Sequence, residues 1–323
     1  MLYPFIFQTI YKDKIWGGQK IKTILGKNYG DLPNCGETWE VSGVSGNISV
    51  VENGELAGRT LTEMIDRYQS DLLGKKVYQR FGNEFPLLIK FIDANQDLSI
   101  QVHPNDQLAR KRHNSFGKTE MWYVLQADAG SSLITGFNQQ LNREQYLEKF
   151  NAGQLTDILN QESVKDHEVY FLPAGRVHTI GKGLLIAEIQ QTSDVTYRIY
   201  DFDRVDDRGN KRELHVEEAL DAIDYQYYDQ YKTLYEEKQN QRNELVSCPY
   251  FVTNKLTLNE PFDASLSVDS FRIYICLEGA ATVSTPGGNL HLIKGQVTMI
   301  PANLERVRLE PIEAVTLLET YVP

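Results

Sequence analysis

The sequence predicts a mainly β protein, an antiparallel sandwich or barrel decorated by a few helices, and three observations lead there. Apolar residues fall into short runs at 87–92, 98–102, 121–125, 169–172 and 184–189, then again at 271–277, 290–293 and 297–300. Runs of this length suit strands better than helices. Gly, Pro, Asn or Asp separates many of them, as tight antiparallel turns require and long parallel crossovers do not. Helical periodicity is confined to a few local segments.

In chain order, the opening MLYPFIFQTIYKDKIWGG begins apolar but has no basic leader, long apolar run or small-residue cleavage site, so a strand is expected there rather than a signal peptide. From Thr60, TLTEMIDRYQSDLL offers a capping box of Thr60 with Glu63 and an apolar stripe of Leu61, Met64, Ile65, Tyr68 and Leu72, which predicts an amphipathic helix. A second helix is expected after Asn142, carrying Tyr146, Leu147 and Phe150, and a third from about Val216 through Ala219, Leu220 and Ile223. The tyrosine-rich stretch 225–242 has few aliphatic residues. Its end marks the expected boundary between a domain of residues 1–243 and a smaller one of residues 244–323. Its tyrosines are expected to pack between domains; the alternative is contact with a partner.

The 323 residues suffice for two domains. Hydrophobic residues at 41% and charged residues at 24% are those of a folded globular chain. No stretch approaches the roughly 18 apolar residues of a membrane-spanning helix, so no membrane anchor of that kind is expected. A net charge of −11 argues against nucleic acid, whose phosphates demand a basic face. A small anionic substrate remains open, because a few cations in one cleft suffice. Cys35, Cys248 and Cys276 are widely spaced and form no CxxC pair, which fits a reducing cytoplasm. The expected assembly is a monomer or a weak homo-oligomer.

A short repeat bears on the chemistry. Phe171-Leu-Pro-Ala-Gly175 matches Met299-Ile-Pro-Ala-Asn303, an offset of 128 residues from Pro173 to Pro301. Upstream, Met121-Trp-Tyr-Val-Leu125 matches Ile273-Tyr-Ile-Cys-Leu277, an offset of 152 from Leu125 to Leu277. Two related β units, the first carrying the helix after Asn142, reconcile the two offsets. Within the first unit, alternation in Leu98-Ser-Ile-Gln-Val-His103 puts Gln101 and His103 on one strand face. Glu120 opens the next apolar run and His178 follows a Pro-Ala-Gly turn. Two imidazoles and a carboxylate are a catalytic-type zinc set that leaves a position open. Taken alone, QVH is weak evidence, and a satisfied structural histidine is the better reading of it and of His178.

Longer segments decide between those readings. GETWEVS (36–42), PLLIKFIDANQDLSIQVHPND (86–106), GKTEMWYVL (117–125), FLPAGRVHTI (171–180) and EIQQTSDVTYRIYDFDR (188–204) resemble, in the same order, the type I mannose-6-phosphate isomerases, especially the shorter bacterial form. The resemblance implies a cupin fold, with a jelly-roll-like barrel and the active site in its mouth; with the repeat, this makes the first unit a catalytic cupin with helical insertions and the second a smaller C-terminal cupin-like domain. It implies a cytoplasmic enzyme interconverting D-mannose 6-phosphate and D-fructose 6-phosphate, with one zinc ion per chain on Gln101, His103, Glu120 and His178. Arg198 matches the family's active-site arginine and Lys118 the lysine before the ligand glutamate. Glu188 and Asp194 match acidic residues of the cavity, and Ser99 and Lys90 match positions linked with the substrate phosphate. Plainer roles stay open: Glu188 and Asp194 as buried partners of Arg198, and Lys90 as a solvated strand residue.

Aldose–ketose isomerisation moves a proton between C2 and C1 through an enediolate, so it needs a base, carbonyl polarisation and positive charge. Lys118, Asp194 and Glu188 are the candidate bases. Two other classes compete: a cupin metal oxygenase, distinguished by bound iron and oxygen consumption, and a silent sugar-phosphate-binding cupin, distinguished by a lack of turnover. His113, His167, His215 and His291 are expected on the surface, and 110–112 on a solvated helix face. In the C-terminal unit the repeat sets Arg272 opposite Glu120 and Arg306 opposite His178. Guanidinium groups donate no lone pair to zinc, so this unit is expected to be metal-free.

Overall fold

The short apolar runs form strands, and these pair into three antiparallel sheets in a computed structural model that describes residues 1–205, 208–265 and 268–323. The first runs in the order Lys232–Thr233, Val169–Leu172, Glu120–Ala127, Leu184–Gln191, Leu87–Ala94, Glu37–Ser42 and Ile10–Lys12. The second runs Tyr197–Tyr200, Ile100–Val102, His178–Ile180, Ser132–Phe137 and Leu159–Ser163. Strand alternation gives the first sheet two buried faces. On one face Ile92, Trp122, Val124, Tyr170 and Ile186 share an apolar cluster with Leu98, Leu133 and Ile180, closing the two sheets into a barrel. On the other, Ile89, Phe91, Met121, Tyr123 and Ile189 join a cluster with Phe271 and with Ile273, Ile275 and Met299 of the third sheet. The strands Leu87–Ala94 and Leu184–Gln191 are therefore buried at every position, and a charged residue on either one must find a partner inside.

Arg242–Ser247, Val252–Leu258, Arg308–Tyr321, Arg272–Thr285 and Val297–Ile300 build the third sheet, with the N-terminal Phe5–Ile6 at its edge against Val297–Ile300. The expected N-terminal strand is thus two short pieces, one in each of two sheets.

The repeat is visible as matched register. Glu120 pairs with Leu172, and Arg272, 152 residues after Glu120, pairs with Ile300, 128 residues after Leu172. Trp122 opposite Glu188 likewise matches Tyr274 opposite Glu319. The helix Arg143–Asn151, capped by Asn142 and Gln145, lies in the first unit between Ser132–Phe137 and Leu159–Ser163. The other expected helices form at Leu61–Leu73, with the Thr60–Glu63 capping box, and at Val216–Ala222. Lys20–Thr23, Lys75–Phe81 and Asp106–His113 add three that periodicity did not reveal. Residues 110–112 lie exposed on the last of these.

Candidate active site

Three strands of the barrel bring His103, Glu120 and His178 together. Gln101 lies opposite His178 in the ladder, and Glu120 opens the strand Glu120–Ala127. One donor atom from each of the two histidines and the carboxylate falls within 4.8 Å of the others, and all three residues are buried. His103 Nδ1 faces the Val195 carbonyl at 3.0 Å and His178 Nδ1 the Arg176 carbonyl at 2.8 Å. A carbonyl only accepts, so each Nδ1 carries the hydrogen and each Nε2 turns a lone pair inward. Burial pushes the His178 pKa down to about 3, with Lys118 adding to the effect, and holds His103 well below its usual value.

Glu120 Oε1 lies 3.3 Å from His178 Nε2, buried and without a hydrogen-bond partner. An imidazole lone pair facing a carboxylate oxygen is repulsive unless a cation lies between them, and this donor set suits a divalent metal. Gln101 Nε2 stands 3.3 Å from His178 Nε2. Half a turn of its amide exchanges nitrogen for oxygen and adds a fourth donor. Lys118 Nζ bonds Glu120 Oε2 at 2.6 Å and approaches His103 Nε2 at 3.0 Å.

Beside this cluster a polar row crosses the fully buried strands. Trp39 pairs across the sheet with Lys90, Lys90 with Glu188, and Glu188 with Trp122. Lys90 Nζ is 3.0 Å from Glu188 Oε1, and Trp122 Nε1 donates to Glu188 Oε2 at 2.9 Å. Burial alone raises the Glu188 carboxyl, but Lys90, Lys118 and Trp122 outweigh it and hold it low. Lys90 is therefore a buried, paired cation and not a solvated residue. Arg198 pairs with Gln101 in the ladder, beside the cluster. Its Nη1 donates to the Glu213 carbonyl at 2.8 Å, and its buried Nε has no partner. Glu188 and Asp194 both line the cavity, but the ion pair of Glu188 is with Lys90 and not with Arg198.

A cavity of about 440 Å³ opens beside the cluster, with Gln101 and Lys118 in its lining. Lys12, Lys14, Lys90, Lys118, Arg198 and Arg212 line it, against the carboxylates Glu37, Glu188 and Asp194. In a chain of net charge −11, this one cleft gathers positive charge, as an anionic substrate requires.

The catalytic-domain profile of type I phosphomannose isomerase matches residues 5–130, and the cupin-domain profile of mannose-6-phosphate isomerase matches residues 241–314. The mannose-6-phosphate isomerase ManA of Bacillus subtilis is 34% identical over 95% of this chain and 96% of its own length. The chain belongs to the mannose-6-phosphate isomerase family. A mannose-6-phosphate isomerase of Streptococcus mutans is 39% identical over 69% of this chain and 68% of its own. A crystal structure of mannose 6-phosphate isomerase from Bacillus subtilis superposes with a TM-score of 0.88 at 29% identity, covering 98% of this chain and 99% of that one.

For an isomerase, the cavity adds residues that the motifs did not single out. Lys12 lies 5.1 Å from the Trp39 ring centroid and bonds the Asn47 side chain, while Arg212 is braced by Asp201. Trp39 and Glu37 lie within GETWEVS and were within reach of a closer reading; Lys12, on a three-residue edge strand, carried no signal. His215 corrects an expectation. It is half-buried rather than on the surface, because its Nδ1 accepts from the Arg198 N–H at 3.3 Å and its own N–H bonds the Arg198 carbonyl at 2.7 Å.

Proposed function

We propose that this chain is a zinc-dependent aldose–ketose isomerase interconverting D-mannose 6-phosphate and D-fructose 6-phosphate in the cytoplasm, with the division of labour at residues 243 and 244 expected from the sequence. The observation that carries the metal reading is the buried Glu120 carboxylate between two inward-turned imidazole nitrogens, with its unpartnered Oε1 facing that of His178. Gln101, His103, Glu120 and His178 would hold the ion. Bound there, it would act as a Lewis acid that polarises the substrate carbonyl.

The chain's own residues do the rest. Arg198 sets a fixed positive charge where the enediolate becomes anionic, its guanidinium donating to the Glu213 carbonyl rather than to a carboxylate. Lys118 or Asp194 moves the proton between C2 and C1. Glu188 is the weakest of the three candidate bases because both of its oxygens are already bonded. Its carboxylate instead keeps Lys90 charged and in place. Ser99, with its Oγ 3.5 Å from Gln101 Oε1, and Lys90 help hold the phosphate within the cationic cleft. A coupled assay with purified protein tests the reading. Mannose 6-phosphate should turn over with a kcat/KM at least about 10³ above that of mannose, several kcal/mol of binding to the charged group being at stake. Equal values for the two sugars would overturn the substrate assignment.

A further inference from the structure

The tyrosine-rich segment after residue 224 touches the turn that delivers His178, and it does so through one cation. Arg176 is nearly buried, at 8% exposure. Its guanidinium carbon lies 4.5 Å from the Tyr228 ring centroid and 4.7 Å from that of Tyr231, the two rings set at 68° to each other. The two ring centroids stand 5.9 Å apart, so the guanidinium sits in an angled aromatic corner, an arrangement that holds cations in a desolvated setting. The carbonyl of this same Arg176 receives His178 Nδ1 at 2.8 Å.

Both rings are anchored in turn. The Tyr231 hydroxyl donates to the Phe137 carbonyl at 2.8 Å, and its ring lies so close under Gly136 that an added Cβ there would come within 2.3 Å. The Gly136 N–H bonds the Val177 carbonyl at 2.7 Å. The Tyr228 hydroxyl donates to Asp224 Oδ2 at 2.8 Å, and the Asp224 N–H bonds the Gly175 carbonyl at 2.8 Å. From the other side, the Gly175 N–H bonds the His103 carbonyl at 2.9 Å, and the Ala174 N–H bonds Thr119 Oγ1 at 3.3 Å. The turn 173–178 is thereby tied to the backbone at His103 and to the residue before Glu120. Neither tyrosine lines the cavity.

We infer that Arg176, gripped by Tyr228 and Tyr231, is a positioning residue for His178, and that this clamp sets how long the metal stays bound. The inference rests on the metal reading above. The clamp acts on the carbonyl that fixes the tautomer and ring angle of His178, and removing such partners behind a metal ligand typically costs about 10- to 100-fold in affinity.

The test is zinc release from the holoenzyme into a chromophoric chelator, followed in wild type, Arg176→Ala, Tyr228→Leu and Tyr228→Phe. Arg176→Ala and Tyr228→Leu should release zinc about 10- to 100-fold faster. Tyr228→Phe keeps the ring and should stay within about threefold of wild type, the ring supplying the cation contact. Tyr146→Leu, which disturbs a buried tyrosine of the neighbouring cluster, serves as a control for general loosening. Unchanged release in both Arg176→Ala and Tyr228→Leu would overturn the clamp while leaving the metal site intact, and so would equal acceleration in Tyr146→Leu. A wild-type protein that binds no zinc would overturn the metal reading and the clamp with it.

Discussion

Arg198 shows how much of the chemistry depends on single contacts. Its guanidinium is half-buried, bonded only to a main-chain carbonyl, and has one buried nitrogen without a partner. Such a cation is held ready for a charge that appears during the reaction, and losing one preorganised donor typically costs about 10² to 10³ in rate. Arg198→Ala should therefore lower kcat by about that factor while shifting the melting temperature little, and an unchanged kcat would show that the charge lies elsewhere. The grouping of His103, Glu120 and His178 was legible in the sequence because these residues sit in long ordered motifs at strand ends. The contacts of His215 and Arg176 were not. His215 is tied to main-chain atoms of Arg198 and Arg176 meets His178 through its own carbonyl, and a backbone carbonyl leaves no trace in residue type.

Elements with a local cause were the readable ones. The Thr60–Glu63 and Asn142–Gln145 boxes close on their own helices, so four residues of sequence contain the whole signal. Lys75–Phe81 has no side-chain cap, and Phe5–Ile6 is too short for alternation to show. The turn ahead of His178 is an element whose demands fall on one residue. Gly175 has φ +95°, and a Cβ there would meet the Ala222 carbonyl oxygen at 2.9 Å. Gly175→Ala should cost about 1 to 3 kcal/mol through strain, measured by denaturant unfolding, and should weaken zinc binding because the turn carries His178. Wild-type stability together with wild-type zinc affinity would show that the turn adapts freely.

Across the whole molecule, one β unit has been used twice with different results. In the first barrel Glu120 completes the His–Glu–His cluster. At the matching register in the second, Arg272 donates to the Ala264 and Leu304 carbonyls, and the counterpart of Glu188, Glu319, is taken up by Tyr274, Asn254 and Arg242. Among the described residues the single group of three or more histidine, cysteine and carboxylate side chains able to hold a metal is the one in the first barrel. The sequence revealed the duplication through two short motifs. It did not reveal that Phe5–Ile6 joins the third sheet, since Phe5 opposite Met299 is a register set by long-range packing alone.

The most direct test of a single working metal is to count it and remove it. Elemental analysis of the purified chain beside the coupled assay should find about one zinc per chain, since the donor set supplies one catalytic-type site. Chelation should remove zinc and turnover together, and added zinc should restore both. His178→Ala should lose most of the zinc and nearly all of the turnover. Full turnover in protein shown to be free of metal would contradict the account, and so would a second zinc that survives His178→Ala.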